Sequence, residues 1–176
     1  LYVPFDPPVL NIEPQAGTKL EFPENDVLVK VPIALDTAAP VNVFFDYCFD
    51  LDHSEADIND LYLESGYSYP ASKKHPFPVC GQSVGKVTIL ADTIAPRDNP
   101  DVSVWINVKR DYAVEGDESL RLVIKNLTGA VLPGNKHDGY FDLILVDSDI
   151  EPKSKDFAIT ATEDVLYTFD STQFDY

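Results

Sequence analysis

Short runs in which apolar and polar residues alternate recur along most of the chain, and they restrict what it can fold into more than any other feature. They are Val27–Leu35, Val41–Phe45, Gly85–Leu90, Val102–Val108, Ser119–Ile124 and Tyr140–Val146. A period of two sends successive side chains to opposite faces of an extended strand, so each run has one face to bury and one to leave in water. Turn-formers separate the runs: Asn25-Asp26, Pro133-Gly134-Asn135 and Asp138-Gly139, the last a hairpin signal. Pro32 cannot donate to a strand ladder, so its run is expected at a sheet edge or with a bulge. A helical pattern is nearly absent; the best candidate is Ser54–Leu61, with Ser54 as its N-cap. With 14 prolines and 8 glycines as punctuation, the pattern predicts an antiparallel β-sandwich of about seven strands.

The sandwich is expected over residues 11–150. Leu1–Leu10 carries Pro4, Pro7 and Pro8 and reads as an extended linker. Leu61–Ser83, rich in Tyr, Pro, Ser and Lys, reads as a long insertion loop. Residues 151–176 open with a polar linker, Glu151–Lys155. Asp156–Phe169 then offers one or two strands, too few to fold alone, and reads as the start of a following module. A chain that opens at Leu1 and holds no methionine is expected to be a fragment of something longer. No apolar stretch approaches the ~18–20 residues a membrane helix needs, so no membrane insertion is expected.

Thirteen Lys and Arg against thirty Asp and Glu give a net charge of −17. Such a field repels nucleic acid and anionic membrane surfaces and attracts cations. Cys48 and Cys80, with three histidines, form no zinc or iron–sulfur ligand set. A structural disulfide in an exported protein is favoured over two buried thiols. It would tie the insertion back to the sheet. Catalytic signatures are missing: no Gly-x-Ser-x-Gly, no His-Glu-x-x-His and no phosphate loop occurs. A non-enzymatic role is expected, with carbohydrate or protein recognition as the alternative. Tyr62, Tyr67, Tyr69 and Phe77 in the insertion could stack on sugars, although such residues more often pack a loop onto its sheet. Trp105, in an alternating run, reads as core.

The carboxylates are not evenly spread. Asp111, Glu115, Asp117 and Glu118 lie within eight residues, between two strand runs. Asp147, Asp149 and Glu151 follow the last run, and Glu21, Glu24 and Asp26 precede an early one. Loops converging at one end of a sandwich can supply the six to eight oxygens, roughly 2.3–2.6 Å away, that calcium takes. The alternative is that these loops are simply acidic and solvated, since no EF-hand loop is present.

The phrase Asp111-x-x-Val-Glu115-Gly-Asp-Glu118-Ser-Leu120, then Leu122–Ala130 with Asn126, then Leu143–Asp149, resembles the Calx-β repeat. That family is named for the regulatory domains of sodium–calcium exchangers and recurs in integrin β4 and in large bacterial surface proteins. The resemblance covers residues ~10–150 and is sharpest in its C-terminal half. It implies an immunoglobulin-like sandwich that binds Ca2+, with Glu21, Asp111, Glu115, Glu118, Asp147 and Asp149 as ligands. A loop aspartate, Asp60 or Asp57, would join them. Two departures, Arg110 in place of an acid and Ser148 in the middle of the terminal triplet, imply fewer or weaker ions. The tail Thr160–Phe169 is similar to the opening strand of cadherin-like or immunoglobulin-like repeats in bacterial adhesins. Together these imply an extracellular or cell-surface adhesive repeat, with neighbouring β-sandwich domains in the same chain as partners. Beyond the chain, a cell-surface protein or carbohydrate is the expected target.

Overall fold

Every alternating run contributes at least one strand, and the helix expected at Ser54–Leu61 does not form among the described residues. The computed structural model describes residues 6–12, 21–23, 27–57, 59–61, 77–97, 103–110 and 114–147. They hold nine strands: β1 Leu10–Ile12, β2 Glu21–Pro23, β3 Val27–Lys30, β4 Ile33–Leu35, β5 Val43–Phe49, β6 Gly85–Ile89, β7 Trp105–Val108, β8 Glu118–Thr128 and β9 Gly139–Val146. One sheet has the order β2-β9-β8-β5-β6; opposite it lie two short ladders, β1-β4 and β3-β7. All pairs are antiparallel except β2 with β9, which runs parallel. The fold is an all-β sandwich.

Its core is the inward row of each strand: Leu10, Ile33 and Leu35 on one side, Val43, Phe45, Phe49, Leu120, Leu122, Ile124, Leu143 and Leu145 on the other. The phase of β8 changes once. Leu120, Leu122 and Ile124 are buried, but the next buried residue is Leu127. Between them the pairing with β5 slips, and Asn126 adopts a left-handed backbone, φ 55°. The extra residue of this bulge turns the strand half a period so that Leu127 still faces inward. Asn126 is held there by its own N–H, donated to Asp138 Oδ1 at 2.8 Å, and by Nδ2, donated to Asp46 Oδ2 at 2.8 Å.

Four expectations are corrected. The run Val27–Leu35 is not one strand: it breaks at Val31-Pro32 into β3 and β4, which pair with different partners. A proline without an N–H ends one ladder, and the chain crosses to the next. Ser54 is not an N-cap. The only helical turn among the described residues, Leu51–His53, precedes it, and the Ser54 hydroxyl donates to Asp50 O while accepting Arg121 N–H. Asp138-Gly139 marks the β8–β9 hairpin but is not its turn, because β9 starts at Gly139 and residues 129–138 form a longer loop turned at Gly134 and Asn135. Finally, the fold begins before residue 11: Pro8 is buried, and Leu10, fully buried, donates to Val131 O at 2.7 Å.

Cys48 and Cys80 are joined, with Cα atoms 5.0 Å apart. The bond fastens the far end of the insertion to β5, where Phe77 also stacks on Phe49 at 4.4 Å between ring centroids. Phe77 is therefore core rather than a sugar platform. Residues 62–76, with Tyr62, Tyr67 and Tyr69, and the tail 148–176 lie outside the described residues. Trp105 is half-buried, its Nε1 donating to Ser103 Oγ at 2.7 Å.

Candidate metal centre

Three separate pieces of chain meet at the end of the sandwich where β7 and β9 finish and β8 begins. The first is the segment leading into the insertion. Leu61 makes a single bridge to Val108, and Lys109 N–H donates to Asp60 O at 2.7 Å, so Asp60 is pinned against the end of β7. The residue is 4% exposed, and Oδ2 accepts the Asp57 N–H at 2.5 Å. The second piece is the turn Glu115-Gly116-Asp117, entered from the loop and leading into Glu118, the first residue of β8. The third is Asp147, immediately after β9.

Asp147 organises the second piece. Its Oδ2 accepts the N–H of Glu115 at 2.9 Å and that of Gly116 at 3.1 Å. Two consecutive N–H groups converge on one oxygen because Gly116 sits at φ 99°, a left-handed conformation that glycine adopts without the cost a Cβ would bring. The result is a cluster in which Asp60, Glu115 and Glu118 each bring one oxygen to within 4.8 Å of the others. Asp60 is buried, Glu118 half-buried and Glu115 exposed.

Three carboxylates at this spacing repel one another, and a cation between them turns the repulsion into attraction. The donors are all hard oxygens. No sulfur or imidazole contributes, which suits calcium or magnesium and not zinc or copper. Three carboxylates offer at most six oxygens, enough for the lower end of a calcium shell if some bind bidentately.

Of the residues expected at this site, the structure brings together Asp60, Glu115 and Glu118, with Asp147 bonded to the turn behind them. Asp60 rather than Asp57 is the loop aspartate of the cluster; Asp57 supplies a backbone N–H instead. Glu21 begins β2, its Cα opposite Ile144 of β9, two positions before the end of that strand at Val146. Asp111 and Asp149 lie outside the described residues. Arg110 is exposed just beyond the end of β7. The clamp by Asp147 on two backbone N–H groups was not foreseen. The sequence cue for it was Gly116, whose freedom at positive φ lets the turn close on a carboxylate.

No family model matches the chain, and no curated protein matches it. Among solved structures it is similar to the crystal structure of CBD12 from CALX1.2, at 13% identity and a TM-score of 0.45. The match covers 80% of this chain and 44% of that one, so this chain spans less than half the length of that structure.

Proposed function

We propose that the acidic end of the sandwich is a calcium site, and that the domain is a non-enzymatic structural or adhesive repeat of an extracellular multidomain protein, of the Calx-β kind. The observation that carries this reading is the convergence of Asp60, Glu115 and Glu118 oxygens to within 4.8 Å of one another. Asp60, Glu115 and Glu118 would hold the ion, with Glu21, Asp111 and Asp149 the candidates for the remaining positions. The bound ion would neutralise the cluster and fasten the insertion stem, the acidic turn and the end of β9 to one another. Because the chain leaves β9 beside this cluster, an ion here would stiffen the exit towards a neighbouring domain. The Cys48–Cys80 bond fits an oxidising, extracellular compartment.

Scanning calorimetry of the chain, with chelator and then with millimolar calcium, tests this. A ligand bound only by the native state stabilises by RT ln(1 + [L]/Kd), about 2.7 kcal/mol at a hundredfold excess over Kd. For a domain of this size the Tm should rise by roughly 5–10 °C. An unchanged Tm, together with no heat of binding in a calcium titration, would rule the site out.

A further inference from the structure

The outer face of the five-stranded sheet carries a groove of about 430 Å³. Its size falls among small-ligand clefts, which run to roughly 300–1,000 Å³. Val123 lies in it, and Tyr140 is its most prominent wall, 58% exposed although it is a large ring in mid-sheet. That ring is held in place. The guanidinium of Arg121 lies over it at 4.0 Å from the ring centroid, and Arg121 is itself fixed by Nε and Nη2 donating to Asp142 at 2.8 and 3.2 Å. The hydrogen bond to Asp142 raises the Arg121 pKa above its ordinary value, so the charge of this arginine is already matched.

The other walls alternate acceptors and donors. Asp50 Oδ2 lies 2.8 Å from His53 Nδ1. In the neutral ring that contact places the proton on Nδ1 and leaves Nε2 as an acceptor at the surface. Asp138 uses Oδ1 for the Asn126 N–H and has a second oxygen, and Lys125 adds an ammonium. With Arg121 matched by Asp142, Lys125 stands against Asp50 and Asp138, so the lining holds donors and acceptors of both signs and no excess positive charge, on a chain of net charge −17. Anionic ligands are repelled by the whole chain, and cations find a stronger field at the acidic end. A rigid exposed aromatic ring, flanked by mixed donors and acceptors, fits a ligand with apolar C–H faces and many hydroxyl groups.

We propose that this groove binds a neutral saccharide, with Tyr140 as the stacking platform and Asp50, His53, Lys125 and Asp138 as hydroxyl partners. The site is independent of calcium. The test is calorimetric titration of the chain with neutral glucan, xylan and mannan hexaoses, alongside a glycan array that includes sialylated members, each run in chelator and in calcium. At least one neutral glycan should bind in both conditions. Tyr140→Ala should weaken it tenfold or more, while Tyr140→Phe, which keeps the ring, should stay within about threefold of the parent. Circular dichroism and Tm of the two variants report whether the sheet is intact. The proposal is overturned if no neutral glycan binds, if only sialylated glycans bind, or if a folded Tyr140→Ala variant binds as well as the parent.

Discussion

Asp147 offers the sharpest test of how the acidic end works, because its two possible jobs respond differently to one isosteric change. As a ligand it would give the ion charge through a carboxylate oxygen. As a clamp it holds the Glu115-Gly116 turn by accepting two backbone N–H groups at 2.9 and 3.1 Å. Asp147→Asn keeps an oxygen able to accept both bonds and removes the charge; Asp147→Ala removes both. A hydrogen bond to a charged group contributes about 1.5–3 kcal/mol when buried, and Asp147 is only half-buried, so roughly 1 kcal/mol each is a fair figure here. Losing the pair shifts the turn by about 2 kcal/mol, near thirtyfold in its population. Apparent affinity falls by the fraction of chains left competent, so up to about thirtyfold is the expected ceiling.

The clamp reading therefore predicts Asp147→Ala weakening calcium about tenfold to thirtyfold, and Asp147→Asn weakening it no more than about threefold. Calorimetric titration of the three proteins measures this directly. Equal losses in the two variants would refute the clamp and restore Asp147 as a ligand. If the parent itself binds no calcium, the fault lies with the metal reading instead. Metal-free Tm gives a second readout, since the clamp predicts that only Asp147→Ala lowers it.

Three other outcomes follow from the packing. Burial pushes the Tyr47 phenol up to about 12 from its ordinary 10, so the stability tied to its neutral form is complete below pH 10 and is lost as pH rises towards 12. Between pH 9 and 11.5 the loss amounts to about 2 kcal/mol, and Tyr47→Phe should remove most of it, as urea midpoints at the two pH values would report. Asn107 is 4% exposed, and neither Oδ1 nor Nδ2 has a hydrogen-bond partner among the described residues. Asn107→Leu should raise stability by about 1–2 kcal/mol in urea unfolding at neutral pH, and a loss would show that the amide is satisfied in solution. The bond between Cys48 and Cys80 spans a sequence separation of 32. The chain-entropy model then gives roughly 3–4 kcal/mol, so Cys48→Ser/Cys80→Ser should lower Tm by about 7–15 °C in calorimetry.

Strand existence was legible because it depends on a local, two-residue period that burial on one face enforces. Val43–Phe49, Gly85–Ile89 and Gly139–Val146 sit within a few residues of their sequence-expected positions. What escaped depends on partners distant in sequence. The split at Pro32 requires knowing that β3 pairs with β7 and β4 with β1. Ser54 carries the chemistry of an N-cap, but the N–H it accepts belongs to Arg121, 67 residues away. The β8 bulge is set by Asn126 reaching both Asp46 and Asp138, 80 and 12 residues off.

The candidate site divides along the same line. Glu115 and Glu118 are three residues apart and straddle a glycine turn, so their shared neighbourhood follows from local geometry. Asp60 stood in the sequence as one of two candidates, and the choice between it and Asp57 is made by a backbone contact, Lys109 N–H to Asp60 O. That contact aims one aspartate at the cluster and leaves the other to support it from behind. Asp147 illustrates the reverse: an acid in the right place for a ligand, with one oxygen committed to backbone N–H groups instead. Counting acids estimates how much negative charge reaches an end of the sandwich. Which of those acids face an ion is decided by the hydrogen bonds that each has already made, and those depend on the tertiary structure.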